Sequence, residues 1–305
     1  MNVYDLCLAW NWEYDADFVG LLDAACAARG LTLLNASARN LAEILSHLAG
    51  REAGFRVFLD RASEANPAYL PLVDIARSIG ARRLNPRELA DRAYDKASMH
   101  RVFLEADIPA PQTIILPAYN QITDLPFPDL TPLGGLFVIK PALGGGGEGV
   151  VTEVTSFEQV LVERRQFPEQ KYLLQEHVTP KLLDGLPAWF RVIYCLGEMF
   201  PCFWDVKTHV YTALSAEAET RLGLARLRQV TERIAYICCL ELFSTEITLT
   251  EAGDFLVVDY VNDPIDLRLQ SHAVDGVPDF IVKRIAVRIA DTAFFHAPAA
   301  VPSGG

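Results

Sequence analysis

The first ninety residues alternate short apolar runs with longer segments of helical periodicity. Leu6–Trp10 reads as a buried strand, and Asp15 to Arg29 as an Ala-rich helix closed by Gly30. Leu31–Leu34 and Phe55–Leu59 predict two further strands. Leu41–Leu48, ending at Gly50, and Pro67–Ser78, stopped by Gly80, predict helices. This alternation implies a small open parallel sheet with helices on its faces. No glycine fingerprint follows the first strand, so this part is expected to contribute to an acceptor pocket rather than to hold a nucleotide.

The pattern then changes. Apolar positions keep helical spacing over Glu88–Ala106, until Pro109 and Pro111 force a linker into a strand at Gln112–Ile115. Residues 118–134 read as a loop. Strands follow at Phe137–Lys140, Val150–Val154 and Tyr172–Val178, with a helix from Thr155 to about Arg165. Trp189–Leu196 and Met199–Val206 form a hairpin around Gly197. Ala216–Leu240 predicts one long helix with Arg221, Arg226, Arg228 and Arg233 on a solvated face. Leu242–Leu249 and Phe255–Val261 are strands, Asp279–Phe294 is a helix, and 297–305 reads as a frayed tail.

Composition narrows the class. With 305 residues, 51% hydrophobic and 22% charged, the chain is globular and large enough for about two domains. A net charge of −12 argues against a nucleic-acid surface. No apolar run reaches membrane-spanning length, and Met1–Asp5 does not open a secretion signal, so a cytoplasmic protein is expected. The six cysteines show no metal-ligand spacing.

Candidate chemistry concentrates at two places. Gly144, Gly145, Gly146, Gly147 and Gly149 lie between two strands, leaving N–H groups unshielded for a polyanion, and Lys140 adds a point charge at the loop's mouth. A strand rather than a helix follows, which excludes a dinucleotide fingerprint. Val150-Val151 after Gly149 excludes a Walker loop. A ligand-free hairpin loop is the alternative. The second place is Glu246 with Asp259 and Asn262, hard oxygen donors suited to Mg²⁺. Asp259 and Asn262 are three apart and would face opposite sides of a regular strand. A bulge or a strand end near Val261 would repair this, and otherwise Asp263 would substitute. Arg191, between Phe190 and Val192, requires a carboxylate partner in the protein or a substrate. His209 has no second imidazole at metal spacing and reads as polar lining.

In order, the chain shows Asp95-Lys96 on a helix, the strand lysine, the glycine flap, Gln175-Glu176-His177-Val178, the strand arginine and the paired acids. Over residues 93–295 this resembles the ATP-grasp superfamily, and most closely its glutathione-synthetase and ribosomal-protein-modifying ligase branch. The resemblance implies an α/β and α+β chain: an N-terminal open parallel α/β domain (1–92), then a two-lobed ATP-grasp fold. Its small lobe with the flap would span 93–178 and its large lobe with the metal site 179–296, before the flexible tail 297–305. It further implies that Lys96, Lys140 and the flap glycines meet the phosphates of ATP, and that Glu176 and Val178 meet the adenine edge. Ile139 and Val178 are candidate adenine walls, with plain core as the simpler reading. Asp184 would meet the ribose. Arg191, Lys207 and Arg268 would serve the transferred phosphoryl group or substrate carboxylate, with an Asp266–Arg268 surface pair as the alternative for the last. Glu246, Asp259 and Asn262 would hold Mg²⁺.

The implied activity is an ATP-dependent carboxylate–amine (or carboxylate–thiol) ligase working through an acyl phosphate. Its partners would be small-molecule carboxylates and amines, and a homodimer stays open. A small-molecule kinase and a non-catalytic nucleotide-binding protein are the alternatives.

Overall fold

In the computed structural model, which describes residues 2–297, the early strand–helix alternation becomes a four-stranded parallel sheet. Its strands β1 (Asn2–Trp10), β2 (Leu33–Ala36), β3 (Ala53–Arg61) and β4 (Arg82–Leu84) lie in the order β2-β1-β3-β4. Side chains alternate along β1, so Leu6 and Leu8 pack with helix α1 (Ala16–Ala27) while Cys7 and Ala9 pack with α2 (Leu41–Ala49) and α3 (Leu70–Ser78). β4 escaped the sequence reading, because an edge strand of two arginines and one leucine has no apolar run to betray it.

The expected helix over Glu88–Ala106 is two helices, α4 (Arg87–Tyr94) and α5 (Lys96–Glu105). Asp95 between them is extended, and its carboxylate accepts from the Ala97 and Ser98 N–H groups at 2.9 and 3.2 Å. Lys96 therefore opens a helix instead of lying on the face of a longer one. The expected helix over Ala216–Leu240 is also two, α7 (Ala216–Arg221) and α8 (Ala225–Cys238), parted at Gly223, whose φ is +70°. Its arginines are not simply solvated: Arg221 pairs with Asp184, Arg228 with Glu219, and Arg233 donates to the Ala106 carbonyl.

Two antiparallel sheets follow. The flap sheet, ordered β5-β8-β6-β7, comprises β5 (Thr113–Leu116), β6 (Phe137–Pro141), β7 (Val151–Val154) and β8 (Tyr172–Glu176), with α6 (Phe157–Glu163) packed on it. A short hairpin, β9 (Leu182–Leu183) and β10 (Leu186–Pro187), leads to the large sheet. There β11 (Trp189–Cys195), β12 (Glu198–Trp204), β13 (Tyr211–Ala213), β14 (Leu242–Leu249) and β15 (Phe255–Asn262) run in the order β13-β12-β11-β14-β15.

One face of the large sheet, through Phe190, Val192, Phe243 and Ile247, shares a core with α8 and α5. The other face, through Ile193, Cys195 and Leu242, shares a core with α1 and the last helix, α9 (Asp279–His296). The parallel and large sheets are thus joined by one apolar layer. A buried ion pair adds to it: Arg61 donates to Asp15 through Nε at 3.0 Å and Nη2 at 2.6 Å, and through Nη2 to the Ile265 carbonyl at 3.0 Å. Asp15→Asn strands the guanidinium in that layer and is expected to cost about 3–5 kcal/mol, measured by urea unfolding.

All six cysteines are free, and five are buried; burial pushes the Cys195, Cys202 and Cys238 thiols up to about 12. No helix among the described residues is long and apolar enough to cross a membrane. The tail expected at 297–305 lies outside the described residues from 298 onward.

Candidate active site

Strand register assembles the acids. On the large sheet Arg191 of β11 stands opposite Glu246 of β14, which in turn stands opposite Asp259 of β15. From Ser244 to Glu246 the partner strand runs from Asn262 to Asp259, so β15 carries one extra residue, a bulge. The bulge turns both side chains to one side, and Asn262 Nδ2 donates to Asp259 Oδ2 at 3.0 Å. The awkward spacing of three is thereby resolved without Asp263, which instead accepts from Asn85 Nδ2 at 3.0 Å.

Glu246 is held from two sides. Trp189 Nε1 donates to its Oε2 at 3.0 Å, and Arg191 Nη2 lies 3.7 Å from its Oε1. Burial pushes the Glu246 carboxyl above its ordinary range, with Arg191 pulling the other way. Arg191 also lies over the Trp204 ring at 4.6 Å, and its Nε is buried without a partner. Two carboxylates and an amide oxygen are a hard-donor set that suits Mg²⁺. The described residues contain no group of three or more His, Cys, Asp or Glu placed for a metal, and the set here has two carboxylates and one amide.

Lys140 faces the same acids from the flap sheet. Its Nζ donates to Gln175 Oε1 at 2.8 Å and to the Val258 carbonyl at 2.9 Å, which leaves one N–H for a ligand. Burial pushes its pKa down, while Asp259 and Glu246 oppose that shift. Because the lysine can only donate, Gln175 must present its oxygen there and its Nε2 to Thr113 Oγ1 and Tyr260 Oη, at 3.3 and 3.2 Å. Tyr260 Oη in turn shares a hydrogen bond with His100 Nδ1 at 2.8 Å. Burial also lowers the His100 pKa. This chain ties the flap sheet, β15 and α5 together, and sequence reasoning missed it.

The flap closes over α5. Lys96 donates through its backbone to the Ala142 carbonyl at 2.9 Å and through Nζ to the Gly144 carbonyl. Gly149 has φ +69°, and a Cβ there would lie 2.7 Å from Phe167 Cε2 and 3.1 Å from Pro141 Cγ, so no other residue fits without displacing the ring. At the hinge the Glu176 N–H is spent on the Gln112 carbonyl at 2.9 Å, whereas the Val178 N–H has no protein partner among the described residues. Ile139 is fully buried in the flap-sheet core and is no wall of a pocket.

Of three other expected residues, two are held in ion pairs and one lies on an exposed turn. Asp184 sits at an exposed hairpin turn, paired with Arg221 at 2.6 Å. Lys207 lies on an exposed turn, where its N–H donates to Asp205 Oδ1 at 2.8 Å. Arg268 is taken up by Asp266 and Asp275 at 2.7 and 2.8 Å and lies over the Trp12 ring, which is the surface-pair arrangement. His209 stacks on Trp204 at 5.3 Å, as a lining residue would.

Beside the acids, a solvent-open cleft of about 80 Å³ lies between the parallel sheet and β15, with Asp60, Asn85, Tyr94, Asp263 and Pro264 in its walls. A Cβ on Gly145 would lie 3.8 Å from the Tyr94 hydroxyl, so the flap borders this cleft. Burial pushes the Asp263 carboxyl up to about 6.

No family model and no curated protein matches the chain. Among solved structures it is similar to a RimK domain protein ATP-grasp from Sphaerobacter thermophilus, with 23% identity and a TM-score of 0.62 over 95% of this chain and 98% of that one. It is similar also to the ATP-grasp ligase PsnB complexed with a precursor peptide and AMPPNP (11% identity, TM-score 0.63, 96% and 98% covered). A third is D-alanine–D-alanine ligase from Bacillus anthracis (12% identity, TM-score 0.62, 96% and 99% covered). The likeness extends over nearly the whole length of each, and the chain has the ATP-grasp fold.

Proposed function

We propose that this protein is an ATP-dependent carboxylate–amine ligase acting through an acyl phosphate. The observation that carries the reading is the in-register set Arg191–Glu246–Asp259 with Asn262 hydrogen-bonded to Asp259, faced by Lys140 with one N–H unspent. Solved neighbours of the same fold include ligases described with AMPPNP, ADP and Mg bound, which supports ATP and Mg²⁺ as the cofactors.

In this reading Lys140 meets a phosphate oxygen with its remaining N–H, and Lys96 and the flap's N–H groups cover the phosphates. The unpartnered Val178 N–H is the hinge donor for adenine. Glu246, Asp259 and Asn262 would hold Mg²⁺, which supplies charge neutralisation between the phosphates. Arg191 offers its guanidinium to the transferring phosphoryl group or the substrate carboxylate. The substrate carboxylate attacks the γ-phosphorus, the bond to ADP breaks, and an acyl phosphate forms. An amine then attacks the acyl carbon, loses a proton and expels phosphate, while the flap keeps water from the activated acyl group.

The test is isotopic. With ¹⁸O in the substrate carboxylate, one labelled atom is expected in released phosphate for every amide bond formed. Label retained wholly in the product would contradict the acyl phosphate. Trp189→Phe removes a donor to Glu246 and is expected to weaken apparent Mg²⁺ affinity about tenfold with unchanged unfolding, as loss of an outer partner does; the check is a Mg²⁺ titration of nucleotide binding. A kinase for polyanionic acceptors is disfavoured by the carboxylates lining the neighbouring cleft.

A further inference from the structure

Lys140 ends a line of buried polar groups that runs away from the acids into α5. Gln175, Tyr260 and His100 are each 2% exposed. Lys140 Nζ lies 2.8 Å from Gln175 Oε1, Gln175 Nε2 lies 3.2 Å from Tyr260 Oη, and Tyr260 Oη lies 2.8 Å from His100 Nδ1. Tyr260 sits in the apolar core that α5 and α8 share with the large sheet, with Phe103 edge-on to its ring at 5.2 Å. Polar atoms buried there cost free energy unless they are paired, and apolar side chains would fill the same space without that cost. The pairing also has a direction. Lys140 can only donate, and Thr113 Oγ1 gives its proton to the Pro111 carbonyl at 2.8 Å. Gln175 must therefore turn its oxygen to the lysine and its N–H groups to Thr113 and Tyr260.

Resting on the ligase reading above, we propose that His100 and Tyr260 are positioning residues for the ATP-binding lysine, holding Gln175 so that the remaining N–H of Lys140 keeps one direction. Two of the three Nζ donors go to Gln175 Oε1 and the Val258 carbonyl, so tetrahedral geometry sets the third. An amide free to swing would release that direction, and Tyr260 Oη takes up one of its two N–H groups. His100 in turn fixes the hydroxyl from α5. One turn earlier on the same helix, Lys96 donates through its backbone to the Ala142 carbonyl at 2.9 Å and through Nζ to the Gly144 carbonyl. α5 thereby sets both lysines in one frame, Lys96 at its first turn and Lys140 through His100.

Titration of the full chain with MgAMPPNP tests this. Tyr260→Phe keeps the ring and deletes the hydroxyl, and His100→Phe keeps an aromatic ring and deletes Nδ1. Each is expected to weaken binding about three- to tenfold, the loss that accompanies one buried hydrogen bond. His100→Asn places an amide that can donate or accept where Nδ1 stood, and is expected to bind within about twofold of the parent. In a Lys140→Ala background neither Phe variant should move the affinity by more than about twofold, because the group they position is gone. Losses of equal size with and without the Lys140 ammonium would overturn the proposal. Parent-like binding by both Phe variants would do the same, as would His100→Asn binding no better than His100→Phe. Urea unfolding accompanies each variant, and if His100→Phe does not fold, Tyr260→Phe carries the same comparison with Lys140→Ala. A parent that binds MgAMPPNP and variants that match it overturn only the positioning role, whereas a parent that binds no nucleotide overturns the ligase reading and this proposal with it.

Discussion

Asp259→Asn is expected to lower MgATP turnover by about 10²- to 10³-fold with little change in stability, the range seen when a single transition-state charge stabiliser is removed. The fold should survive because the contacts that shape this strand do not need the charge. Thr245 Oγ1 donates to the Asp259 backbone carbonyl at 3.0 Å, and an asparagine oxygen can still accept from Asn262 Nδ2, which now donates at 3.0 Å. What disappears is one of the two carboxylates among the three oxygen donors. Steady-state phosphate release alongside urea unfolding separates the two effects. Turnover within a few-fold of the parent would remove Asp259 from the site. An equal loss with Glu246→Gln would show that the two acids work as a unit.

Lys140→Ala is expected to raise the KM for ATP by about 10²-fold, and Lys140→Arg to recover little of it. The ammonium sits between Gln175 Oε1 and the Val258 carbonyl at 2.8 and 2.9 Å, and a planar guanidinium cannot satisfy both while still presenting a donor to the nucleotide. Gln175→Met should reproduce part of the defect, because it removes the acceptor that orients the lysine and one of the two partners of the Tyr260 hydroxyl. Titration with AMPPNP reads this directly. Recovery of full affinity by arginine would show that charge alone matters at this position, not the geometry of the hydrogen bonds.

The order of elements was legible in the sequence because it rests on local periodicity, and so was the pairing of a strand lysine with a glycine flap. The helix breaks at Asp95 and Gly223 were not, since apolar positions on both sides keep helical spacing and a cap acts through one residue. The bulge at Asp259–Asn262 could be stated only as a requirement; strand register, a property of two segments at once, supplied it. Trp189, Gln175, Tyr260 and His100 were unreadable for the same reason, as each has its partner dozens of residues away. Arg268 and Asp184 are the converse case: each is expected at a ligand, and in the structure Arg268 pairs with a carboxylate two residues away and Asp184 with Arg221 at the end of α7.

The central claim is tested most directly by incubating the protein with MgATP and a matrix of carboxylates and amines, measuring phosphate release and product mass in each well. The account predicts wells in which released phosphate matches, mole for mole, a product lighter by one water than its two substrates combined, lost on Asp259→Asn. Phosphate appearing on an acceptor, or ATP bound tightly in every well with no condensed product in any, would contradict it.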